Sequence, residues 1–242
     1  MNLVIDQGNS SVKIAVFDNE ILCNVFSYKE LTINLVKEVF NNYPIHSSIL
    51  CAVTDVDSSV KEILMKLSSH FIELDHFTLL PIANHYGTPE TLGKDRIAAA
   101  VGANYLMPAK NLLVIDMGTA ITYDFVSANN EYLGGNISPG IDIRFRALHE
   151  FTGKLPLVEP QIPASEYGKN TVEAINAGVI QGIVFEIEGY ITLFRQKCPD
   201  LSVFLTGRGS IRFVATLKKP IFAEINLVLI GLNRILTYNA QQ

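Results

Sequence analysis

The sequence predicts an α/β protein made of two similar halves, each a mixed sheet flanked by helices. Three observations predict it. A unit of apolar strand, aspartate and glycine turn occurs twice, as Leu3-Val4-Ile5-Asp6-Gln7-Gly8 and as Leu113-Val114-Ile115-Asp116-Met117-Gly118, with the aspartates 110 residues apart in a chain of 242. Each turn leads into a second extended apolar stretch, residues 12–17 and 121–126, so each copy reads as strand, turn, strand. Hydrophobic residues make up 48% of the chain and the mean hydropathy is +0.25, enough apolar surface for a large core. The halves divide as 1–110 and 111–242. No linker composition separates them, so they are expected to form one rigid pair around a cleft.

The chemistry of the repeated unit is specific. A carboxylate at the end of a buried strand is costly unless it is hydrogen-bonded or faces a cation. The glycine lets the backbone turn tightly, and the Asn9, Ser10 and Thr119 beside the turns offer donors and acceptors. Two such units can hold a triphosphate and its metal ion with carboxylates and backbone N–H groups.

In the first half, residues 28–41 carry Leu31, Leu35, Val36, Val39 and Phe40 at helical spacing. Residues 48–53 read as a buried strand, residues 57–67 as a helix capped by Asp57 or Ser58, and residues 71–80 as another strand. A loop rich in Gly, Pro and polar residues, Tyr86 to Arg96, feeds an alanine-rich helix from Ile97 to Ala103. Asp95 and Arg96 fall in its first turn. Helix capping explains Asp95 there, but an arginine at the positive end of a helix calls for a carboxylate or phosphate partner.

In the second half, four glycines and prolines between Gly134 and Gly140 predict a loop lining the cleft. Around Pro156, Pro160 and Pro163 the chain is expected to be irregular. Asn170 and Glu173 have capping-box spacing and open a long helix from Val172 to about Lys197, apolar nearly all round, in which Gly178, Gly182 and Gly189 allow close packing. It is a central helix or a subunit interface. Residues 201–209 read as strand and glycine turn, and a last helix runs from about Asn226 to Leu236.

Composition excludes several classes. The net charge of −5 without a basic tract argues against nucleic acid as a partner. Cys23, Cys51 and Cys198 are scattered and odd in number, which supports neither a disulfide framework nor a zinc site, and suits a reduced cytoplasm. The N-terminus lacks a leader pattern, and no uninterrupted apolar run approaches the ~18 residues that span a bilayer. His46, His70, His76 and His85 show no metal-ligand spacing. His149 stands near the expected substrate loop, or is an ordinary helix residue. Lys169 is either a cap or a phosphate contact.

Taken together, Asp6-Gln7-Gly8-Asn9-Ser10, Tyr86-Gly87, Leu92-Gly93-Lys94-Asp95-Arg96, Asp116-Met117-Gly118-Thr119-Ala120, Gly134 to Gly140, Gly168-Lys169-Asn170-Thr171 and Gly231-Leu232-Asn233 make the chain resemble the type III pantothenate kinases. That family lies within the acetate and sugar kinase, heat-shock chaperone and actin superfamily, and the resemblance covers almost the whole chain. The Asp-x-Gly turns are shared across the superfamily; the Leu-Gly-x-Asp-Arg segment is the specific part. The resemblance implies two actin-like (ribonuclease H-like) halves with an ATP cleft between them, and transfer of the ATP γ-phosphoryl to the primary hydroxyl of pantothenate, the first step of coenzyme A synthesis. It implies that Asp95 accepts the hydroxyl proton. Tyr86, Gly93, Lys94, Asp95, Arg96 and Thr171 would bind pantothenate, with Arg96 on its carboxylate. Asp6, Gln7, Gly8, Asn9, Ser10, Ser11, Val12, Lys13 and Thr119 would bind ATP. Asp6 would act on Mg²⁺, indirectly, and Asp116 would bind K⁺ or NH₄⁺. A cytoplasmic homodimer, with no membrane partner, is implied as well.

One departure stands out: Thr206-Gly207-Arg208-Gly209 replaces the family's Thr-Gly-Gly turn near the nucleotide. If position 208 needed φ > 0 the arginine would be strained; otherwise it is tolerated, or adds a phosphate contact. Two rival readings remain. A non-catalytic accessory factor in gene expression is opposed by intact Asp6, Asp95, Arg96 and Asp116. A kinase acting on a sugar is opposed by Arg96, which a neutral substrate does not need.

Overall fold

The computed structural model describes residues 1–210, 217 and 221–241. They group into two compact units. Unit 1 comprises Met1–Ala109, Ser127–Leu133 and Asn226–Gln242; unit 2 comprises Lys110–Val126 and Gly134–Ile225. A division of the chain at 110/111 differs from this grouping chiefly in the C-terminal helix, which lies with unit 1.

Unit 1 is built on a five-stranded sheet in the order β3-β2-β1-β4-β5, from β1 (Asn2–Gln7), β2 (Val12–Asp18), β3 (Ile21–Tyr28), β4 (Ser47–Ala52) and β5 (His70–Glu73). β1 pairs antiparallel with β2 and parallel with β4, which makes the sheet mixed. Side chains alternate between faces. Leu3, Ile5, Val12, Ile14, Val16 and Leu50 meet α1 (Ile33–Asn42) and α2 (Ser58–Leu67) through Leu35, Val36, Val39, Val60 and Leu64. Both helices start on side-chain caps: Thr32 Oγ1 accepts from Leu35 N–H at 3.3 Å, and Asp57 Oδ1 from Ser59 N–H at 2.9 Å.

α3 (Lys94–Leu106) and the last helix, here α6 (Leu227–Asn239), also pack against this sheet, at β4 and at β1 and β4 respectively. Their backbones nearly touch. A Cβ added to Gly231 would lie 1.8 Å from Ala98 O, and one on Gly102 would lie 2.3 Å from Leu227 O. That contact explains why Ala98, Ala99, Ala100 and Ala103 are all buried: larger side chains would hold the helices apart. Asn233 ties α6 to the N-terminal strands by accepting from Asn2 Nδ2 and donating to Asn19 O, both at 2.8 Å. The C-terminal segment therefore completes the core of unit 1.

Unit 2 repeats the plan. β7 (Leu112–Met117) pairs antiparallel with β8 (Ala120–Ser127) and parallel with β10 (Ser202–Thr206), and β11 (Phe222–Ala223) adds in parallel to β10. β9 (Glu131–Pro139) follows β8 in the sheet; its first residues, in unit 1, pair with β6 (Ala83–Asn84). α4 (Ile141–Glu150) packs on α5 (Thr171–Lys197), whose Ile175, Val179, Ile180, Ile183, Ile187 and Ile191 enter the core with Leu113, Ile115, Val203 and Leu205. By length and composition α5 is apolar enough to cross a bilayer; here its isoleucine stripe is the core of unit 2.

Several elements differ from the expectations above. Residues 28–32 are not helical, and a third strand, β3, precedes α1. The strand expected over 71–80 stops at Glu73, because Asp75 turns the chain: its Oδ1 accepts from Phe77 and Thr78 N–H, each at 2.9 Å. Residues 132–139 form strand β9 instead of a loop, with Gly134 at φ 116° bending it. Among the described residues, nothing lies within 4 Å of a Cβ built at Gly178, Gly182 or Gly189.

Candidate functional site

In unit 1 the site is assembled at the end of β1. Asp6 is the penultimate residue of that strand, directly opposite Lys13 on β2 and Cys51 on β4. Residues paired in register share a face, so thiol, carboxylate and ammonium form one row across three strands. Burial pushes the Asp6 carboxyl up to about 6; the Lys13 charge pulls it down and the Asp95 charge pushes it further up. Cys51 lies beneath, fully buried, and its thiol is held well above its ordinary range by burial and by the charges of Asp6 and Asp95. These mutual effects place the first turn of α3 beside the end of β1.

That first turn begins at Gly93, the N-cap, which has no side chain for good reason: a Cβ would lie 2.7 Å from Asp95 Oδ1 and 3.3 Å from Arg96 Cδ. Asp95 Oδ1 accepts from Arg96 N–H at 2.9 Å, which fixes the carboxylate against the helix N-terminus. Arg96 is 5% exposed, and its guanidinium stands 5.6 Å from the Tyr86 ring centroid; Tyr86 in turn lies 6.2 Å from Tyr132. A buried arginine over an aromatic ring is oriented in advance for a planar anion. Lys94 sits in the same turn, near enough to Cys51 for its charge to be felt at the thiol.

The turn after β1 is shaped by Gly8, whose N–H donates to Ser11 O at 3.0 Å, leaving Asn9 and Ser10 exposed. Gln7 anchors it by donating to Thr54 Oγ1 at 2.9 Å and to Asp55 O at 3.1 Å. Val12 is buried at the start of β2.

In unit 2 the equivalent turn is packed by glycine backbones. Gly140 N–H donates to Thr119 O and Gly209 N–H to Met117 O, both at 3.0 Å. A Cβ on Gly140 would lie 2.3 Å from Thr119 O, and one on Gly207 would lie 2.4 Å from Asp116 Oδ1. The positive φ of the Thr206–Gly209 turn, 86°, is at Gly207; Arg208 has ordinary φ and is exposed. The strain considered for Arg208 does not arise. Thr119 is exposed on the turn.

Thr171 opens α5 and is exposed. Asn170 Oδ1 accepts from Glu173 N–H at 3.0 Å, and Glu173 Oε2 from Lys169 N–H at 2.8 Å, so the capping box is present with the reciprocal bond one residue earlier. Thr171 and Lys169 line a groove of about 1060 Å³ with Phe151, Leu155 and Gly178. His149 Nδ1 is 2.8 Å from Leu155 O, a contact within the α4 end.

Two features were not visible in the sequence. Cys51 enters through the β1–β4 register. In unit 2, Arg144 Nη2 donates to Glu186 Oε2 at 2.6 Å and to Ser138 Oγ at 2.7 Å, and the buried Tyr123 donates to Glu186 Oε1 at 2.8 Å. Burial pushes Glu186 up, but the bonds from Arg144, Ser138 and Tyr123 win and hold it below its usual range. The network pins the end of β9, next to Gly140, onto α5. Helix spacing along α5 reveals only its isoleucines.

A family model described as type III pantothenate kinase matches residues 2–193. A protein named type III pantothenate kinase from Bacteroides fragilis is 48% identical over 239 residues, covering 99% of this chain and 98% of its own. One of the same name from Phocaeicola vulgatus is 47% identical, covering 99% of both chains. Among solved structures, a Campylobacter jejuni protein described as a Baf-family transcriptional activator gives a TM-score of 0.62 at 24% identity, covering 99% of this chain and all of its own. A polyphosphate/ATP-glucomannokinase from Arthrobacter gives 0.52 at 14% identity, covering 99% and 98%. These likenesses concern the fold alone, an α/β plan of two mixed sheets flanked by helices. Motif order, family model and full-length relatives agree, and the chain belongs to the type III pantothenate kinase family.

Proposed function

We infer that this protein phosphorylates pantothenate at its primary hydroxyl with ATP, opening coenzyme A synthesis. The observation that carries the reading in this chain is the Gly93–Arg96 turn, where a carboxylate and a buried guanidinium stand side by side at a helix N-terminus. Arg96, stacked on Tyr86, takes the pantothenate carboxylate beside Gly93 and Lys94; Thr171 is the further residue that the family likeness assigns to the substrate. Asp95 orients the hydroxyl and takes its proton as the oxygen attacks the γ-phosphorus. The bond from that phosphorus to the β,γ-bridging oxygen breaks, and ADP leaves. Such a transfer needs position and charge neutralisation more than a strong base, which suits an ordinary carboxylate.

The turn from Asp6 to Lys13 takes the nucleotide phosphates, with Lys13 as a fixed positive charge, and Thr119 adds a phosphate contact. The family's divalent ion, Mg²⁺ in this reading, fits at Asp6, whose desolvated carboxyl is stabilised by a cation. Among the described residues no cluster of three or more acidic, His or Cys side chains could cage a metal. In this reading Asp6 would act on Mg²⁺ indirectly, through the ion's hydration shell. Bound there, the metal neutralises charge on the transferring phosphoryl. Asp116 takes a monovalent cation, K⁺ or NH₄⁺.

A cytoplasmic homodimer is part of the same reading. It is supported by the face of α5 left open at Gly178, Gly182 and Gly189, and by Phe185, 67% exposed beside the apolar groove of Ile162, Pro163 and Val184. The decisive variants are Asp95→Asn and Arg96→Ala. The first should lower kcat by about 10²–10⁴ with ATP affinity kept; the second should raise the pantothenate KM. An Arg96→Ala enzyme that still phosphorylates a neutral polyol would favour a sugar kinase instead.

A further inference from the structure

The two units carry the same strand order, β3-β2-β1-β4 in one and β9-β8-β7-β10 in the other, and each places an aspartate at the penultimate position of its central strand. The neighbours of those aspartates differ. Asp6 stands between Lys13 and Cys51. Asp116 stands between Thr122 on β8 and Thr206 on β10. Where unit 1 has an ammonium opposite its aspartate, unit 2 has a hydroxyl.

That hydroxyl is unusual. Thr122 Oγ1 is a buried polar atom without a hydrogen-bond partner, one of two among the described residues. A buried donor-acceptor left unpaired is unfavourable, and a ligand at that position would satisfy it. Thr206 is 1% exposed. Gly207, at φ 86°, crowds Asp116 Oδ1 so closely that any side chain there would collide with it. One carboxylate flanked by hydroxyls, with no nitrogen or sulfur donor in the row, is a hard-oxygen set suited to an alkali cation or ammonium.

We propose that Thr122 is a ligand of the monovalent cation at Asp116, and that Lys13 is the covalently built-in counterpart of that cation in unit 1. The proposal rests on the reading that Asp116 binds such a cation, and adds why only one of the two equivalent places needs one from solution. In unit 1 the positive charge opposite the aspartate is part of the chain; in unit 2 it must be recruited, and Thr122 supplies the oxygen that holds it.

The test reads nucleotide binding, not turnover. Calorimetry with a non-hydrolysable ATP analogue and Mg²⁺ is run in KCl and in choline chloride at equal ionic strength. For the wild type, affinity rises with K⁺, and Asp116→Asn removes that response. Thr122→Val, matched in shape but without the hydroxyl, should raise the K⁺ midpoint roughly tenfold, while Thr122→Ser keeps it near the wild-type value. Thr122→Lys, which copies Lys13, should bind the analogue in choline as the wild type does in K⁺, with no further response to K⁺. No K⁺ response in the wild type would overturn the cation reading itself. A response that Asp116→Asn removes but Thr122→Val leaves intact would overturn the role of Thr122 alone. If Thr122→Lys does not fold, the Val and Ser pair decides the matter.

Discussion

Asp6 gives the sharpest quantitative prediction. Its carboxyl is raised from 3.8 to about 6, mainly by burial, with Lys13 opposing and Asp95 adding to the shift. A folded-state value above the unfolded one means that the native protein binds the extra proton between about pH 4 and pH 6, so stability falls as pH rises through that window and levels off above it. The shift corresponds to about 3 kcal/mol of destabilisation at neutral pH. Asp6→Asn keeps the shape and removes the charge. In metal-free, nucleotide-free buffer at pH 7.5 the variant should therefore be more stable by up to about 3 kcal/mol, a rise in Tm of several degrees. At pH 4 the difference should have nearly vanished; it should grow by at most about 1.4 kcal/mol per pH unit between about pH 4 and pH 6 and stay level above that. Urea unfolding across pH measures it. A variant no more stable than the wild type at pH 7.5, or a gain independent of pH, would refute the reasoning, since the buried carboxylate would then be fully compensated. With Mg²⁺ and ATP the order should reverse, because the ligands that a charged Asp6 favours would stabilise only the wild type.

Other predictions follow from single contacts. Gly231→Ala or Gly102→Ala should cost about 3 kcal/mol or more in thermal unfolding, because the added Cβ overlaps backbone of the facing helix. Gly178→Ala on α5 meets open space and should leave the protomer unharmed, or stabilise it by about 0.5–1 kcal/mol. Arg144→Ala should destabilise by about 2 kcal/mol near neutral pH by stranding Glu186. Because the Glu186 carboxyl is lowered, its contribution is present above the ordinary carboxylate range and is lost as pH falls, so the difference between wild type and variant should shrink in acid. Arg208→Gly should leave the ATP KM within about twofold, its backbone being unstrained, whereas Gly207→Ala should raise it sharply through collision with Asp116; steady-state kinetics in ATP distinguishes the two. Phe185→Glu should convert the proposed homodimer to monomer in light scattering without loss of fold, and a wild type that is already monomeric would remove that proposal.

Much of the fold was legible because it is written locally. The duplicated Asp-x-Gly turns, the cap of α2 at Asp57 and the Asn170–Glu173 box depend on residues a few positions apart, and each is present where spacing placed it. The misses share one cause, which is that the deciding partner lies far along the chain. Strand β3 alternates poorly and is held by its register with β2. β9 reads as a glycine loop until its neighbours in the sheet are known. The last helix looks like part of the second half until Gly231 meets Ala98 across 133 residues of sequence. The same holds for the site. Asp95 and Arg96 stand out locally in the first turn of a helix and the family resemblance adds Gly93 and Lys94, whereas Cys51 and Thr122 become neighbours of the aspartates only through strand pairing. Arg208 was the one local alarm, and the structure removes it by putting the left-handed residue one position earlier.

The most direct test of the central claim is pantothenate-dependent ADP release by the purified protein with Mg²⁺ and ATP, run in K⁺ and again in Na⁺, with the product identified by mass as the phosphate monoester. Turnover that requires pantothenate and appears in K⁺ or NH₄⁺ but not in Na⁺ is the predicted result. ATP binding without pantothenate turnover in either salt would contradict it, and would point to a non-catalytic role for an intact site.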